Sequence, residues 1–482
     1  MAKGKKSIKN SNPLFPGTKV LVMGIGLHGG GVATIKWLAK QGAHVTATDK
    51  RTKEVLAPAL KALKGVPVTY VLGKHRHKDF RTNDLVIVNP GVPRESEYLA
   101  TAKRAGRQIE NDASLFFRFS QNPVIAVTGT RGKTTTTLWI ASLLQKKYPN
   151  TLSSGNTPDN AFLKEFERVN AKKIPVVAEM SSWQLEHLSS SRRAPHVSVI
   201  TNLYPDHLNR YSGIRDYANA KANIFLLQNP DDFLILNYDN EWTPYFLRKK
   251  PKALPFFISK KPLPKSTHGL FVRNEMLVFR FDGMEQKLFS IRKFVALRGA
   301  HNLENLMNAV LAVKLFDSAV VVRERDALLL PTPMMRQEEI FKKGKLTVVN
   351  DSCATSPDGV IAAVERFRKV GSVVLITGGT DKKLEFGMLT STIKKYIPRT
   401  QLVLLGGSAT NKLTHALRAM HYVSPESHET LAACVDEAFR IGMALKGKTT
   451  ILFSPGAASF EKFLHEFDRG KKFNALVKKY TK

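Results

Sequence analysis

The feature that most constrains this chain is Val124-Ile125-Ala126-Val127 running directly into Thr128-Gly129-Thr130-Arg131-Gly132-Lys133-Thr134-Thr135. An apolar, largely β-branched run predicts a strand buried on both faces, as happens where helices cover both sides of a parallel sheet. The glycines predict a tight loop, and the stretch that follows, through Leu144, predicts a helix. A helix that begins at a glycine-rich loop offers its first backbone N–H groups, and the positive end of its dipole, to a phosphate. Lys133 at that start can reach terminal phosphates, and the Thr134 hydroxyl can hold Mg2+. The loop is shorter than the common phosphate-binding loop, because only Thr130 and Arg131 separate Gly129 from Gly132-Lys133.

A second strand–turn–helix stands near the start of the chain. Residues 19–23 form an apolar run that enters Gly24-Ile25-Gly26-Leu27-His28-Gly29, a helix is predicted over 32–40, and a strand over 43–48 ends at Asp49. Glycines there let the backbone approach a diphosphate, and an acidic residue one βαβ unit later is the dinucleotide-binding arrangement. Taken alone, this turn fits a nicotinamide oxidoreductase, or nothing more than a tight turn. From about Thr332 onward, three apolar strands run into polar or glycine-rich loops: 373–377 into Gly378-Gly379, 402–405 into Gly406-Gly407, and 450–453 into Ser454-Pro455-Gly456. Helical stretches such as 430–445 lie between them. Strands alternating with helices throughout predict the α/β class with parallel sheets. Three domains are expected. They are a Rossmann-like domain over 1–122 (1–17 a basic tail), a central P-loop ATPase-type domain with a mainly parallel sheet over 123–331, and a C-terminal Rossmann-like α/β domain over 332–482.

Composition narrows the setting. At 43% hydrophobic and 24% charged residues the chain can bury substantial cores. Two cysteines, Cys353 and Cys434, do not make a disulfide framework, and a reducing compartment fits. The opening Met-Ala-Lys-Gly-Lys-Lys stretch is basic without an apolar core segment, so it is not read as a secretory signal. No apolar run approaches the roughly 20 residues needed to span a bilayer. The expectation is a soluble cytoplasmic protein with no stable membrane insertion. The net charge of +34 fits either nucleic acid or anionic small substrates. Because lysines and arginines are spread along the chain rather than massed, the expectation is no nucleic-acid partner.

Further motifs follow the loop in order. They are Glu179-Met180-Ser181-Ser182-Trp183-Gln184-Leu185-Glu186, Asn202-Leu203-Tyr204-Pro205-Asp206-His207-Leu208, Tyr217-Ala218-Asn219-Ala220-Lys221, and Gly299-Ala300-His301-Asn302 with Asn305. The last section adds Arg336 with Glu338, Asn350-Asp351-Ser352-Cys353-Ala354-Thr355, Gly378-Gly379 before Lys382, and Ser454-Pro455-Gly456-Ala457-Ala458-Ser459. In this order the motifs resemble the Mur ligase family over nearly the whole chain from about residue 18. The Asn-Asp-Ser-x-Ala-Thr stretch and the compact Gly-x-Gly-Leu-x-Gly first domain resemble its glutamate-adding members in particular.

The resemblance implies an ATP-dependent acid–amino-acid ligase of cell-wall synthesis. Its substrates would be UDP-N-acetylmuramoyl-L-alanine and D-glutamate, and it would work as a monomer. ATP would phosphorylate the substrate carboxylate, the amine of glutamate would attack the acyl phosphate, and phosphate would leave. The resemblance assigns ATP to Gly129, Thr130, Arg131, Gly132, Lys133, Thr134, Thr135, Asn302, Asn305, Arg336 and Asp351. Lys133, Glu179, His207 and Lys221 would be catalytic. Thr134, Glu179, His207 and Lys221 would hold two Mg2+ ions, Lys221 as a carbamate. The UDP substrate would lie on Leu27, His28, Asp49, Lys50, Arg51, Asn156, Ser181 and Gln184, and glutamate on Thr355, Lys382 and Ser459. Three residues depart from the family's pattern: Arg131 where Asn is usual, Met335 where His is common, and Cys353 where the glutamate-adding members often have Lys. Rival readings are another Mur ligase, a folylpolyglutamate synthase-like ligase, the nicotinamide oxidoreductase, and a basic nucleic-acid-binding NTPase-like module.

Overall fold

The run 19–23 forms the middle strand of the first sheet in a computed structural model that describes residues 14–27, 29–155, 161–207 and 210–480. Strands β1 (Lys19–Met23), β2 (His44–Asp49), β3 (Val68–Leu72), β4 (Leu85–Val88) and β5 (Gln108–Glu110) are parallel, in the order β3-β2-β1-β4-β5. From Val20 to Met23 the strand is apolar and buried at every position because both faces are covered. Val20 and Val22 pack with Ile35 and Leu38 of the helix Gly30–Lys40, while Leu21 and Met23 pack with Phe80, Leu99 and Ala102. Each such buried side chain contributes about 1.5–3 kcal/mol relative to exposure. The strand order reverses at β1, so the loop after β1 opens at a switch point, where such sheets bind ligands.

The second sheet contains β6 (Val124–Thr128), β7 (Leu152–Gly155), β8 (Val176–Glu179), β9 (Val197–Ile200), β10 (Phe233–Asn237), β11 (Leu254–Ser259), β12 (Gly269–Arg273), β13 (Met276–Phe281) and β14 (Met284–Ser290). Their order is β14-β13-β12-β11-β10-β9-β6-β8-β7, parallel from β7 to β12. β12, β13 and β14 are antiparallel, so the expected alternation of strands and helices fails over residues 269–290. Two-residue turns explain this. Asn274 and Glu275 have φ of 49° and 58°, and Asp282 and Gly283 have 47° and 76°. Left-handed backbone at both positions matches the twist of a tight hairpin.

Ile125 and Val127 of β6 pack with Trp139, Ile140, Met307 and Val310. Val124 and Ala126 face the other way, into a cluster that also holds Phe15, Trp37, Phe116, Phe162 and Phe166. Trp37 meets Phe166 at 5.2 Å and Phe116 meets Phe162 at 5.2 Å between ring centres, so one apolar cluster runs from the first sheet to the second. The helix Asp112–Phe119 lies in it. Asn111 and Ser114 cap that helix reciprocally, at 2.8 and 2.9 Å, and Asn111 Nδ2 donates to the Gln184 carbonyl at 2.8 Å.

Burial raises the Asp112 carboxyl from 3.8 to about 6, against hydrogen bonds from the Ala113 amide and Gln184. The folded-state pKa lies above the unfolded one, so the fold favours the protonated acid. That stabilisation is full below the unfolded-state value of 3.8 and is lost as pH rises through about 6, by roughly 3 kcal/mol in total. Asp112→Asn is expected to flatten the fall in urea midpoint between pH 4 and pH 7. An unchanged slope in the variant would refute this.

The third sheet orders β15 (Glu338–Lys343), β16 (Leu346–Asn350), β17 (Ser372–Thr377), β18 (Leu402–Leu405), β19 (Ser427–His428) and β20 (Thr449–Phe453) as β15-β16-β20-β17-β18-β19. Only β15–β16 is antiparallel, turning at Gly344 with φ 57°. Alternate residues again serve two cores: Leu375, Leu404 and Leu452 pack with Val360 and Ile393, and Val374, Val403 and Ile451 pack with Cys434 and Phe439. The chain falls into two compact units, Met1–Leu330 with the first two sheets and Pro331–Lys482 with the third. No helix among the described residues is long and apolar enough to cross a membrane.

Candidate active site

β6 ends at Thr128, and the chain turns through Gly129 and Gly132 into the helix Lys133–Leu144. Gly132 is left-handed, with φ 79°. A Cβ there would stand 2.1 Å from Asn305 Oδ1, and one on Gly129 would stand 1.9 Å from Thr201 Oγ1. The loop lacks side chains at both ends because neighbours close directly over it. The segment after β9 supplies the brace. Thr201 Oγ1 donates to the carbonyls of Arg131 (2.6 Å) and Thr128 (3.2 Å), Asn202 Oδ1 accepts from the Arg131 amide (2.9 Å), and Thr130 Oγ1 accepts from the Tyr204 amide (3.0 Å). Asn305 accepts from Thr136 Oγ1 at 3.4 Å and donates to Asn302 Oδ1 at 3.0 Å, so Asn305 lies against the loop and Asn302 is tied to it through Asn305. Gly132→Ala combines left-handed strain with displacement of Asn305. It is expected to cost about 1–3 kcal/mol, read as a lowered urea midpoint. A wild-type midpoint would show that the loop accommodates a side chain.

Two lysines converge on this loop. Lys133 Nζ donates to the carbonyls of Gly129 (3.0 Å) and Thr130 (3.1 Å). Lys221, on the helix Ile214–Ala222 and 1% exposed, donates to the same Gly129 carbonyl at 2.8 Å. Burial, and then the neighbouring Lys133 charge, hold the Lys221 amine well below its ordinary pKa, with Asp206 opposing. The Tyr217 ring lies 4.5 Å from Lys221 Nζ and 5.9 Å from the His207 ring. His207 has φ 54° and its amide donates to Asp206 Oδ1 at 2.9 Å. Glu179, 4% exposed, ends β8 beside Val127 of β6. The sheet therefore brings Lys133, Thr134, Glu179 and His207 to the C-terminal ends of β6, β8 and β9, and the Lys221 helix packs behind them. Among the described residues no three His, Cys, Asp or Glu side chains cluster as a metal site.

At the first sheet, Asp49 is 4% exposed and already committed. It accepts from the Ile25 amide at 2.9 Å and from the Arg51 amide and guanidinium at 3.0 Å each. Burial pushes its pKa up, but the Arg51 bonds and charge, with the Gly26 amide, win and hold the carboxyl below its ordinary value. Asp49 thus ties the glycine turn to Arg51. Lys50 Nζ lies 5.7 Å from the Tyr98 ring centre, and Leu27 is 37% exposed. Asn89 and Gly31 were not singled out from sequence. A Cβ on Gly24 would stand 2.9 Å from that of Asn89, and one on Gly31 would stand 2.2 Å from the Ile25 carbonyl. His28 and Asn156 lie outside the described residues. Ser181 and Gln184 cap one another, with Ser181 N and Oγ donating to Gln184 Oε1 at 3.1 and 3.0 Å.

In the second unit, Asp351 is 4% exposed and accepts from Ser454 Oγ at 2.7 Å and from the Gln337 amide at 3.0 Å. Burial lifts its carboxyl to about 7, against those bonds and the charges of Arg336 and Arg366. Lys382 Nζ donates to Thr355 Oγ1 at 3.1 Å. Ser459 is buried, and its Oγ has no hydrogen-bond partner among the described residues. Arg469, fully buried, donates to the carbonyls of Ser352 (2.7 Å), Ala457 (3.1 Å) and Ala458 (3.0 Å), tying the 351–355 loop to the 454–459 loop. Sequence reading missed it, because one arginine in a polar helix carries no spacing signal. Cys353 is 5% exposed, its amide donates to the Met335 carbonyl at 3.0 Å, and burial raises its thiol to about 12. Met335 is 1% exposed, so the two departures from the family's polar residues both lie in dry surroundings.

Comparison with known proteins agrees with this arrangement. Residues 127–313 match the model for the Mur ligase middle domain, and residues 18–110 match that for the Mur ligase MurD-like N-terminal domain. Among solved structures, UDP-N-acetylmuramate-alanine ligase from Thermotoga maritima has the same fold, with a TM-score of 0.57 at 19% identity over 96% of this chain and 99% of that one. The chain belongs to the Mur ligase family. Within it, the chain is 36% identical to UDP-N-acetylmuramoylalanine--D-glutamate ligase of Roseiflexus sp. (strain RS-1), over 96% of this chain and 99% of the relative. It is 34% identical to the protein of the same name from Borreliella afzelii (strain PKo), over 95% and 97%.

Proposed function

We propose that this chain joins D-glutamate to UDP-N-acetylmuramoyl-L-alanine at the expense of ATP, as a cytoplasmic monomer in peptidoglycan synthesis. The observation that carries the reading is the convergence of Lys133 and Lys221 on the Gly129 carbonyl, at 3.0 and 2.8 Å. Lys133 there presents a cation to an anion such as a phosphate, and Lys221, buried with its pKa held down, presents an amine that CO2 can convert to a metal-binding anion. The names borne by nearly full-length relatives support the substrates.

In the reaction, a carboxylate oxygen of the alanyl end attacks the γ-phosphorus, and the bond to ADP breaks. The amine of glutamate attacks the acyl carbon and loses a proton, and phosphate leaves with the C–O bonding pair. Lys133 faces the charge that builds on the transferring oxygens. Gly129, Thr130, Arg131, Gly132 and Thr135 wrap the phosphates, with Asn302, Asn305, Arg336 and Asp351 as further nucleotide contacts.

Two Mg2+ ions fit the donor set only if a further anionic oxygen joins Glu179, since His207 would ligate through an uncharged ring nitrogen and Thr134 through a hydroxyl. A carbamate on Lys221 supplies it. The metal would screen phosphate charge. The UDP substrate lies along Leu27, His28, Lys50, Arg51, Asn156, Ser181 and Gln184, with Asp49 acting through the turn and Arg51. Glutamate is held by Thr355, Lys382 and the orphan hydroxyl of Ser459, so the buried Cys353 need not supply a lysine's charge. Phosphate release from ATP, measured with UDP-N-acetylmuramoyl-L-alanine and a panel of D- and L-amino acids, tests the reading. D-glutamate is expected to give the highest kcat/KM, and a clearly better amino acid, L-glutamate included, would overturn it.

A further inference from the structure

A cavity of about 340 Å³ opens on the face of the Ile214–Ala222 helix turned away from the glycine loop. We infer that it is a regulatory site for a small amphipathic anion, an apolar body carrying a carboxylate, phosphate or sulfonate. Leu99, Ile109, Ala220, Ala222 and Leu226 give it apolar side chains, and Leu226 is 46% exposed. A volume of this order, with apolar side chains set beside charged ones, suits a small amphipathic molecule.

The charges at the rim choose the ligand. Three cations, Arg94, Lys103 and Lys249, line the cavity with two carboxylates, Asp216 and Glu186. Asp216 is taken by Arg94 at 2.6 Å. Glu186 is taken from outside the cavity, by Arg210 at 2.7 Å and by the Tyr211 hydroxyl at 2.7 Å. Lys103 and Lys249 therefore remain as cations without a carboxylate partner among the described residues, and an anion with an apolar body satisfies both them and the lining.

The helix links the cavity to the lysine behind the loop. Asp216, Asn219 and Ala220 line the cavity, while Tyr217 and Lys221, one turn apart, look toward Gly129. A second link runs through the wall: Glu186 holds Arg210, whose guanidinium lies 4.7 Å from the Trp183 ring centre, and Trp183 lies 5.3 Å from the His207 ring. An occupant that shifts Asp216 or Glu186 thus acts on Lys221 and His207 without touching the nucleotide loop. This regulatory part rests on the ligase reading above, whereas binding itself does not.

The full chain titrated with 8-anilinonaphthalene-1-sulfonate, which has the required chemistry, tests both. Saturable fluorescence enhancement is expected. The double variant Lys103→Glu/Leu226→Asp, both at the surface and outside the candidate active site, is expected to weaken it at least about tenfold. Its urea midpoint and its turnover without the probe should stay those of wild type. In wild type the probe is expected to lower kcat for phosphate release and leave the KM for ATP unchanged. Absence of saturable binding, equal binding by the variant, or inhibition competitive with ATP would each overturn the proposal. The fluorescence measurement needs no turnover, so failure of ligation would not be mistaken for failure of the site.

Discussion

Replacing Lys133 with alanine is expected to lower kcat for ATP-driven ligation at least about a thousandfold while the protein stays folded. Phosphoryl transfer leaves the protein little covalent work, so its contribution is positioning and charge. Lys133 is the cation at the start of the helix, and its contacts are with carbonyls of its own loop, Gly129 and Thr130. Those bonds are worth about 0.5–1.5 kcal/mol each, so the stability loss is small beside the catalytic one. The cation next to it, Arg131, is no substitute, because its guanidinium lies over the Tyr204 ring at 5.7 Å. Phosphate release against time, beside a urea melt of the same preparation, separates the two effects. Near-normal turnover in a folded Lys133→Ala protein would remove the ATP-ligase reading altogether.

Much of the architecture is readable in the chain because buried parallel strands announce themselves. The apolar runs at 20–23, 124–127 and 402–405 carry no alternation, and each lies inside a sheet with helices on both faces. What was missed had a weaker local signal. The hairpins of β12, β13 and β14 turn at Asn274-Glu275 and Asp282-Gly283, and Asp-Gly between alternating strands was the legible cue. The site divides in the same way. Loop glycines, Lys133 and Thr134 are adjacent in sequence, so spacing reveals them. What encloses the loop comes from far along the chain: Asn305 meets Thr136 across 169 residues, and the Lys221 amine reaches Gly129 across 92. No periodicity encodes such pairings. Asp49 is a different case. Its place at the end of β2 suggests an acceptor for a ligand, and the fold gives it the Ile25 amide and Arg51 as partners.

Lys221→Ala is expected to lower kcat at least about a hundredfold, with partial recovery when formate or acetate is added. A lysine takes up CO2 only as the free amine. The nitrogen lone pair attacks the carbon, one N–H proton is lost to solvent, and the neutral amine becomes a carbamate anion. Ordinary lysines are protonated near neutrality and react poorly. Lys221 differs because burial, with the Lys133 charge beside it, depresses its pKa well below the usual value. The same burial makes an unmodified ammonium costly there, which favours conversion to an anion shared with metal. A purely structural role is the competing account, since Lys221 Nζ also bonds the Gly129 carbonyl at 2.8 Å and the side chain fills space beside Tyr217. Lys221→Met, which keeps most of the volume, separates the two. Under the carbamate role it is as inactive as the alanine variant despite a higher urea midpoint, and formate rescues only the alanine variant, which has room for it. Under the structural role the methionine variant recovers activity along with stability, and small carboxylates change neither protein. Full activity in Lys221→Met would end the carbamate assignment.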